Sequence, residues 1–355
     1  MSNLLVSAGA SASSQNINQA ALSHAWSIVL HGGAFVIERE LMTPTTEAQY
    51  RASLKAALQA GAEVLDKGGS SLDAVEASVR VMEDDPIFNA GRGAAFTAAG
   101  KNELDAAIMD GATLNAGAVA GVTRTRNPIS LARAVMEKSP HVMLIGMGAD
   151  RFAADHGLEQ VDPSFFFTER HRQSLVRLLR KEGRPIPPRP AGVPPAPSQP
   201  ISELEPADAH KLGTVGAAAL DRRGNLAAGT STGGTEGKLD GRVGDTPIIG
   251  AGTYASNSSC AVSATGQGEY FIRLAVARDI CALVQYKGFS LQQAADEVIQ
   301  KRLTAMHGQA LPQGGVIALA PDGQQAWSFN SPGMYRARMT EGGKPEVGIY
   351  QDDLP

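Results

Sequence analysis

Gly213-Thr214 joins a residue without a side chain to an alcohol, at the head of the small-residue run Val215-Gly216-Ala217-Ala218-Ala219. A threonine hydroxyl within a chain is a poor nucleophile, because nothing beside it takes its proton. At a free amino terminus the same residue carries its own base, an α-amine with a pKa of about 7.7–8.0. Cutting the Gly213–Thr214 bond would create that terminus. The hydroxyl can make the cut itself, by attacking the Gly213 carbonyl and passing through an ester that water opens. Glycine suits the leaving side, since it blocks no approach and tolerates strained backbone. Read alone, Thr214 is better explained as the first residue of a strand.

Other chemistries find less support. The seven histidines form no His-x-x-x-His pair and no Cys-x-x-Cys occurs, which argues against zinc. Gly266-Gln267-Gly268 lacks the third glycine of a dinucleotide loop, and there is no Gly-Lys-Ser/Thr. A net charge of -4 leaves no footprint for nucleic acid, and no apolar run is long enough to span a membrane. Cys260 and Cys281 are too few for a disulfide framework and read as reduced core residues of a cytoplasmic protein.

The elements around Thr214 follow from periodicity and turn residues. Residues 1–26 read as a disordered Ser/Ala/Asn-rich tail rather than an export signal. Ser27–Leu30 reads as a buried strand stopping at a glycine loop, His31-Gly32-Gly33-Ala34. Two helices follow, Glu47–Lys67 capped by Thr45 or Thr46, and one capped by Ser70 or Ser71. Strands are predicted at Leu104–Met109 and Gly117–Val122, with a further buried strand at Val142–Ile145. Helices are predicted from Asn127 to Lys138, Asp150 to His156, and Glu169 to Lys181, the last with solvated arginines.

Residues 184–200 are too rich in proline for helix or central strand, and the segment to about 205 reads as a mobile linker. Beyond it a hairpin is predicted from Thr214–Leu220 and Leu226–Thr230, then a strand at Ser259–Thr265. Helices Glu269–Tyr286 and Ser290–Met306 precede a second hairpin, Val316–Leu319 with Ala326–Phe329. Helices in front, helices behind and sheet between make the class α+β, one domain over 27–355.

Seven segments in order carry a resemblance: His31-Gly32-Gly33-Ala34, Phe88-Asn89-Ala90-Gly91, Asn115 to Val122, Gly213-Thr214-Val215-Gly216, Thr230-Ser231-Thr232-Gly233-Gly234, Gly241-Arg242-Val243-Gly244-Asp245 and Ala264-Thr265-Gly266-Gln267-Gly268-Glu269. Each is weak alone. Together they resemble the plant-type asparaginases, or isoaspartyl peptidases, of the N-terminal nucleophile (Ntn) hydrolase superfamily.

The resemblance implies an αββα four-layer sandwich cut between Gly213 and Thr214 into an α chain ending at 213 and a β chain 214–355, with two such pairs assembling as (αβ)2. It implies hydrolysis of L-asparagine to aspartate and ammonia, and cleavage of β-aspartyl dipeptides. Thr214 is then the nucleophile and Thr232 its hydrogen-bonding neighbour. Thr265 and Gly266 supply the oxyanion hole, and Asn89 gives catalytic support. Arg242 clamps the substrate's carboxylate and Asp245 accepts its ammonium, with Gly234 and Gly268 also at the substrate. No cofactor is needed for the chemistry. A loop spanning Met82, Glu83, Asp85, Phe88, Ala90 and Arg92 matches one that wraps a sodium ion through backbone carbonyls. Phe35, where relatives carry a small residue, and Arg92 depart from the pattern. The alternatives are a glycosylasparaginase-like hydrolase and a scaffold protein that never processes itself.

Overall fold

Side-chain alternation along the strands decides how the layers stack. The computed structural model describes residues 24–35, 37–195, 213–307 and 312–354. Its larger sheet has eight strands, in the order β12 (Glu346–Tyr350), β11 (Gly333–Thr340), β1 (Ser27–Phe35), β5 (Val215–Leu220), β6 (Leu226–Thr232), β2 (Leu104–Asp110), β3 (Ala116–Val122) and β4 (Met143–Ile145). The smaller has four, β10 (Gln325–Phe329), β9 (Gly314–Leu319), β8 (Ala261–Gly266) and β7 (Thr253–Ala255). Every strand pairing is antiparallel except that of β3 with β4.

On β1 and β5, Ile28, Leu30, Val215, Ala217 and Ala219 join one apolar cluster with the helices α1 (Pro44–Asp66), α2 (Ser71–Asp84) and α3 (Pro128–Lys138). Their alternates, Val29, Ala218 and Leu220, join a different cluster with Ala261, Ile317 and Leu319 of the smaller sheet. That sheet's other face, Val262, Ala264, Val316 and Ala318, packs against α7 (Val276–Lys287) and α8 (Leu291–Asp296). The remaining helices are α4 (Gly146–Asp155), α5 (Glu169–Lys181) and α6 (Gly268–Leu274). Helices therefore flank two facing sheets in a mixed α+β domain, and Thr214 stands at the head of a central strand.

Several expectations are corrected. The strand at residue 27 does not stop at His31. It continues to Phe35 with a bulge between His31 and Gly33, because β11, which the sequence reading did not anticipate, pairs along it. β7 and β12 were likewise unanticipated. β4 is an edge strand with Met143 and Ile145 exposed, not a buried one, since β3 covers only one side of it. The helix from Glu269 breaks where Ala275 turns left-handed (φ 49°), and the last helix passes into a π-helical stretch at Glu297–Leu303. The first cap is Thr43, whose Oγ1 accepts from Thr46 N ahead of Pro44.

Trp26, assigned to the tail, is buried and donates its ring N–H to Asp66. Residues 1–23 and 196–212, covering most of the tail and the later part of the Pro-rich segment, lie outside the described residues. The described part of that segment packs back on α5. Arg172, expected in solvent, is buried and donates to Pro187 O, while Arg189 pairs with Glu169. Cys260 and Cys281 are core residues as expected, but they form a disulfide rather than staying reduced. The start of β8 and the inner face of α7 bring their Cα atoms to 5.3 Å, within bonding range.

Candidate active site

The β5–β6 hairpin builds the first wall of the site. In its register Val215 faces Ser231 and Gly216 faces Thr230, so Thr214 falls opposite Thr232. The Thr214 hydroxyl donates to Thr232 Oγ1 at 3.1 Å, and Gly234 N donates to the same oxygen at 3.0 Å. A period of two puts Thr230 and Thr232 on the face toward the smaller sheet and Ser231 on the helix side.

Behind the hairpin, Thr230 Oγ1 shares a hydrogen bond with Ser263 Oγ (2.7 Å), Thr253 donates to Thr230, and His31 Nε2 meets Ser263 Oγ at 2.8 Å. Burial holds His31 neutral, lowering its pKa to about 3, only partly offset by the Thr214 backbone. On the helix side Ser231 donates to buried Glu83 Oε1, which also accepts from Ile129 N. Burial raises that carboxyl to about 8, against the pull of these hydrogen bonds.

Gly213 reaches Thr214 by lying flat on the turn of β1. A Cβ on Gly213 would stand 2.4 Å from Gly33 Cα, and one on Gly33 would stand 2.6 Å from Gly213 Cα. Gly33 also needs its φ of 115°. Both positions exclude any other residue. One residue on, Ala34 N donates to Thr265 Oγ1 at 3.4 Å, and β8's alternation turns Thr265 toward the larger sheet together with Ser263.

The second wall is charged. Arg242, largely buried, grips Glu269 with Nε and Nη2 at 3.0 and 3.1 Å, and Glu269 reaches into solvent. Asp245 is buried and its Oδ2 has no hydrogen-bond partner among the described residues. Burial pushes its carboxyl up to about 7, with the charge of Arg242 pulling the other way. Gly268 and Gly234 leave room for this pair. A Cβ on Gly268 would lie 2.8 Å from Asp245 Oδ1, and one on Gly234 (φ 76°) would crowd Lys238 and Arg242. Asn89 holds the connecting loop, donating to Gly234 O at 2.7 Å and accepting from Ala95 N at 2.8 Å.

The two walls meet in one small pocket lined by Phe35, Thr214, Thr232, Gly234, Arg242, Asp245 and Gly266, among others. Thr265, Gly268 and Asn89 stand behind that lining. Sequence reasoning assigned no site role to Thr235 and Thr246, which also line the pocket, or to the His31–Ser263–Thr230–Thr253 chain. An imidazole and three hydroxyls spread over four strands leave no spacing to read.

At the end of α2 the expected sodium loop presents carbonyls rather than charged ligands. Among the described residues no cluster of His, Cys, Asp or Glu could hold a metal. Instead a Cβ on Gly91 would sit 2.3 Å from Glu83 O, and one on Gly93 1.9 Å from Phe88 O and 2.8 Å from Pro86 O. Such a carbonyl-lined curl fits a hard monovalent cation. Arg92 points away, its guanidinium 5.7 Å from the centre of the Phe165 ring.

Comparison with known proteins agrees with this arrangement. The sequence model of the family described as Asparaginase matches residues 24–349. The isoaspartyl peptidase of Escherichia coli K12 is 48% identical over 325 residues, covering 92% of this chain and 96% of that protein. The probable isoaspartyl peptidase/L-asparaginase 2 of Arabidopsis thaliana is 42% identical over 333 residues, covering 92% and 99%. The isoaspartyl peptidase/L-asparaginase of Xenopus laevis is 40% identical over 326 residues, covering 92% and 96%. With its hairpin-borne threonine pair, its loop-borne Arg–Asp pair and a match over nearly all of its length, the chain belongs to the asparaginase family and has the Ntn-hydrolase fold.

Proposed function

We propose that this chain is a self-activating amidohydrolase that converts L-asparagine to aspartate and ammonia and cleaves β-aspartyl dipeptides. One observation carries the reading. A hydroxyl poised on a second hydroxyl shares a pocket with a guanidinium and a buried carboxylate oxygen that lacks a partner among the described residues. An aspartyl group needs a nucleophile for its side-chain carbonyl, a fork of donors for its α-carboxylate and an anion for its α-ammonium.

Activation comes first. Thr214 Oγ1 attacks the Gly213 carbonyl, the C–N bond breaks as nitrogen takes a proton, and water hydrolyses the ester. The products are a carboxylate on Gly213 and a free amine on Thr214. That amine then accepts the Oγ1 proton as the hydroxyl attacks the substrate's side-chain carbonyl. Thr265 and the N–H of Gly266 receive the oxyanion, and Thr232 orients the nucleophile. The released amine carries away the proton, and a second water frees aspartate from the acyl-enzyme. Asn89 keeps the Gly234 loop in place throughout.

The reading includes the αββα four-layer sandwich processed into two chains, their assembly as (αβ)2, and a cytoplasmic location. The carbonyls of Met82, Glu83, Asp85, Phe88, Ala90 and Arg92 would hold a sodium ion, which supplies structural cross-linking of the loop and no chemistry. Cell fractionation tests the location, with the protein expected in the cytoplasmic fraction and its recovery elsewhere counting against it.

Intact-mass analysis with assays on asparagine and a β-aspartyl dipeptide tests the function. Two fragments meeting between Gly213 and Thr214, together with turnover, are expected. A chain that stays whole on long incubation and hydrolyses neither substrate would sink it.

A further inference from the structure

We infer that Phe35 makes this enzyme select β-aspartyl peptides whose second residue is apolar. The inference rests on the function proposed above and deepens it by naming the leaving group. The pocket's lining is polar or side-chain-free apart from one large hydrocarbon. Thr214, Thr232, Thr235 and Thr246 offer hydroxyls, Arg242 and Asp245 offer charges, and Gly234, Gly244 and Gly266 offer backbone. Among the described residues Phe35 alone brings a ring, and it remains partly exposed.

Its position on β1 decides which part of a substrate it meets. Gly33 lies against Gly213, and Ala34 N donates to Thr265, so the end of β1 borders the nucleophile and the oxyanion donors. The charged head group is drawn to Arg242 and Asp245, on the loop between β6 and β7. The scissile carbonyl then faces Thr214, and its oxygen faces Thr265 and Gly266. The only part of a β-aspartyl dipeptide left to touch Phe35 is the amino acid beyond the scissile nitrogen. Across the strand pair Phe35 faces Gly333, against which Ile37 packs, and the ring is still partly exposed.

An apolar side chain beyond the scissile bond would therefore come out of water against this ring. Ammonia, the leaving group of asparagine, has nothing to bury there. The chemistry is unchanged: the C–N bond breaks, and the departing amino group takes the proton held by the Thr214 amine.

The test compares kcat/KM of processed enzyme on β-aspartyl-leucine and β-aspartyl-glycine, which share head group, scissile bond and terminal carboxylate. The expected preference for the leucine substrate is about tenfold. Phe35→Ala should bring the ratio close to one, and Phe35→Leu, which keeps an apolar wall, should retain most of it. A wild-type ratio near one overturns the inference, as does an undiminished ratio in Phe35→Ala. If Phe35→Ala does not self-cleave, the wild-type ratio and Phe35→Leu decide it. Turnover of asparagine and both dipeptides with a flat ratio defeats only this inference. No turnover of any of the three defeats the proposed function as well.

Discussion

The two walls of the pocket differ in how complete they are. On the hairpin wall each polar atom of the threonine pair is already answered. Thr214 donates to Thr232, Thr232 also accepts from Gly234 N, and Thr230 behind them is tied to Ser263 and Thr253. The loop wall is left open. Arg242 is turned onto an exposed glutamate, and Asp245 keeps one buried oxygen without a partner among the described residues. Leaving a buried oxygen unpaired costs about 1–3 kcal/mol, an arrangement that persists where a ligand supplies the missing donor. Register fixes the wall that makes and breaks bonds, while the wall that recognises substrate is finished only by the substrate.

If that division holds, changes on the two walls should separate in kinetics. The largest effect is expected at the nucleophile. Thr214→Ala should remain one uncut chain by mass spectrometry, with activity lower by at least about four orders of magnitude. Measurable turnover in that variant would remove Thr214 from its assigned role.

Next comes the open wall. Arg242→Ala leaves the substrate carboxylate without its fork, and truncating one partner of a buried charged pair costs about 2–5 kcal/mol. A fall in kcat/KM of about a hundredfold to a thousandfold is expected, carried mostly by KM. Self-cleavage should be intact, because Gly213 never visits the clamp. An uncut Arg242→Ala chain would mean that the arginine holds up the fold.

Thr232→Val is the matching change on the closed wall. It removes the acceptor of the Thr214 hydroxyl and leaves Gly234 N unanswered, each worth roughly 1 kcal/mol or somewhat more. We expect kcat to fall about thirtyfold with KM little changed, and self-cleavage to slow alongside it. A change confined to KM would erase the distinction between the walls.

The same division explains what could be read from the sequence. Thr214, Thr232, Arg242, Asp245 and Thr265 could be picked out only through the resemblance that seven short segments carry together, because each segment alone is weak. Hairpins were legible through Asp221-Arg222-Arg223-Gly224 and Pro321-Asp322-Gly323, and helix starts through residues such as Ser70. β11 was not legible. It carries Arg336, whose burial contradicts its type and depends on carbonyls of Met334 and Tyr350 and on the Trp327 and Phe329 rings, of which only Met334 is near it in sequence. Missing β11 also hid the continuation of β1, and with it the place of Phe35 in the pocket. The Cys260–Cys281 bond was missed because a spacing of 21 residues says nothing about how a helix lies on a sheet.

The smallest effect concerns the open wall's protons. Asp245 can accept an ammonium only when ionised, and burial has raised its pKa to about 7. Below that value the carboxyl is protonated and its attraction for the substrate is lost; above it the site is competent. The Thr214 amine must also be unprotonated, with a reference pKa of about 7.7–8.0. Because kcat/KM follows the free enzyme, its logarithm for asparagine should climb with a slope near two below about pH 7 and near one just above. Going from pH 7 to pH 6 should therefore cost about fivefold beyond the loss due to the amine. An analogue without the α-amino group, succinamic acid, makes no demand on Asp245, so its profile should keep a slope near one throughout. Parallel profiles for the two substrates would show that Asp245 does not receive the ammonium, and that its unpaired oxygen serves some other part of the site.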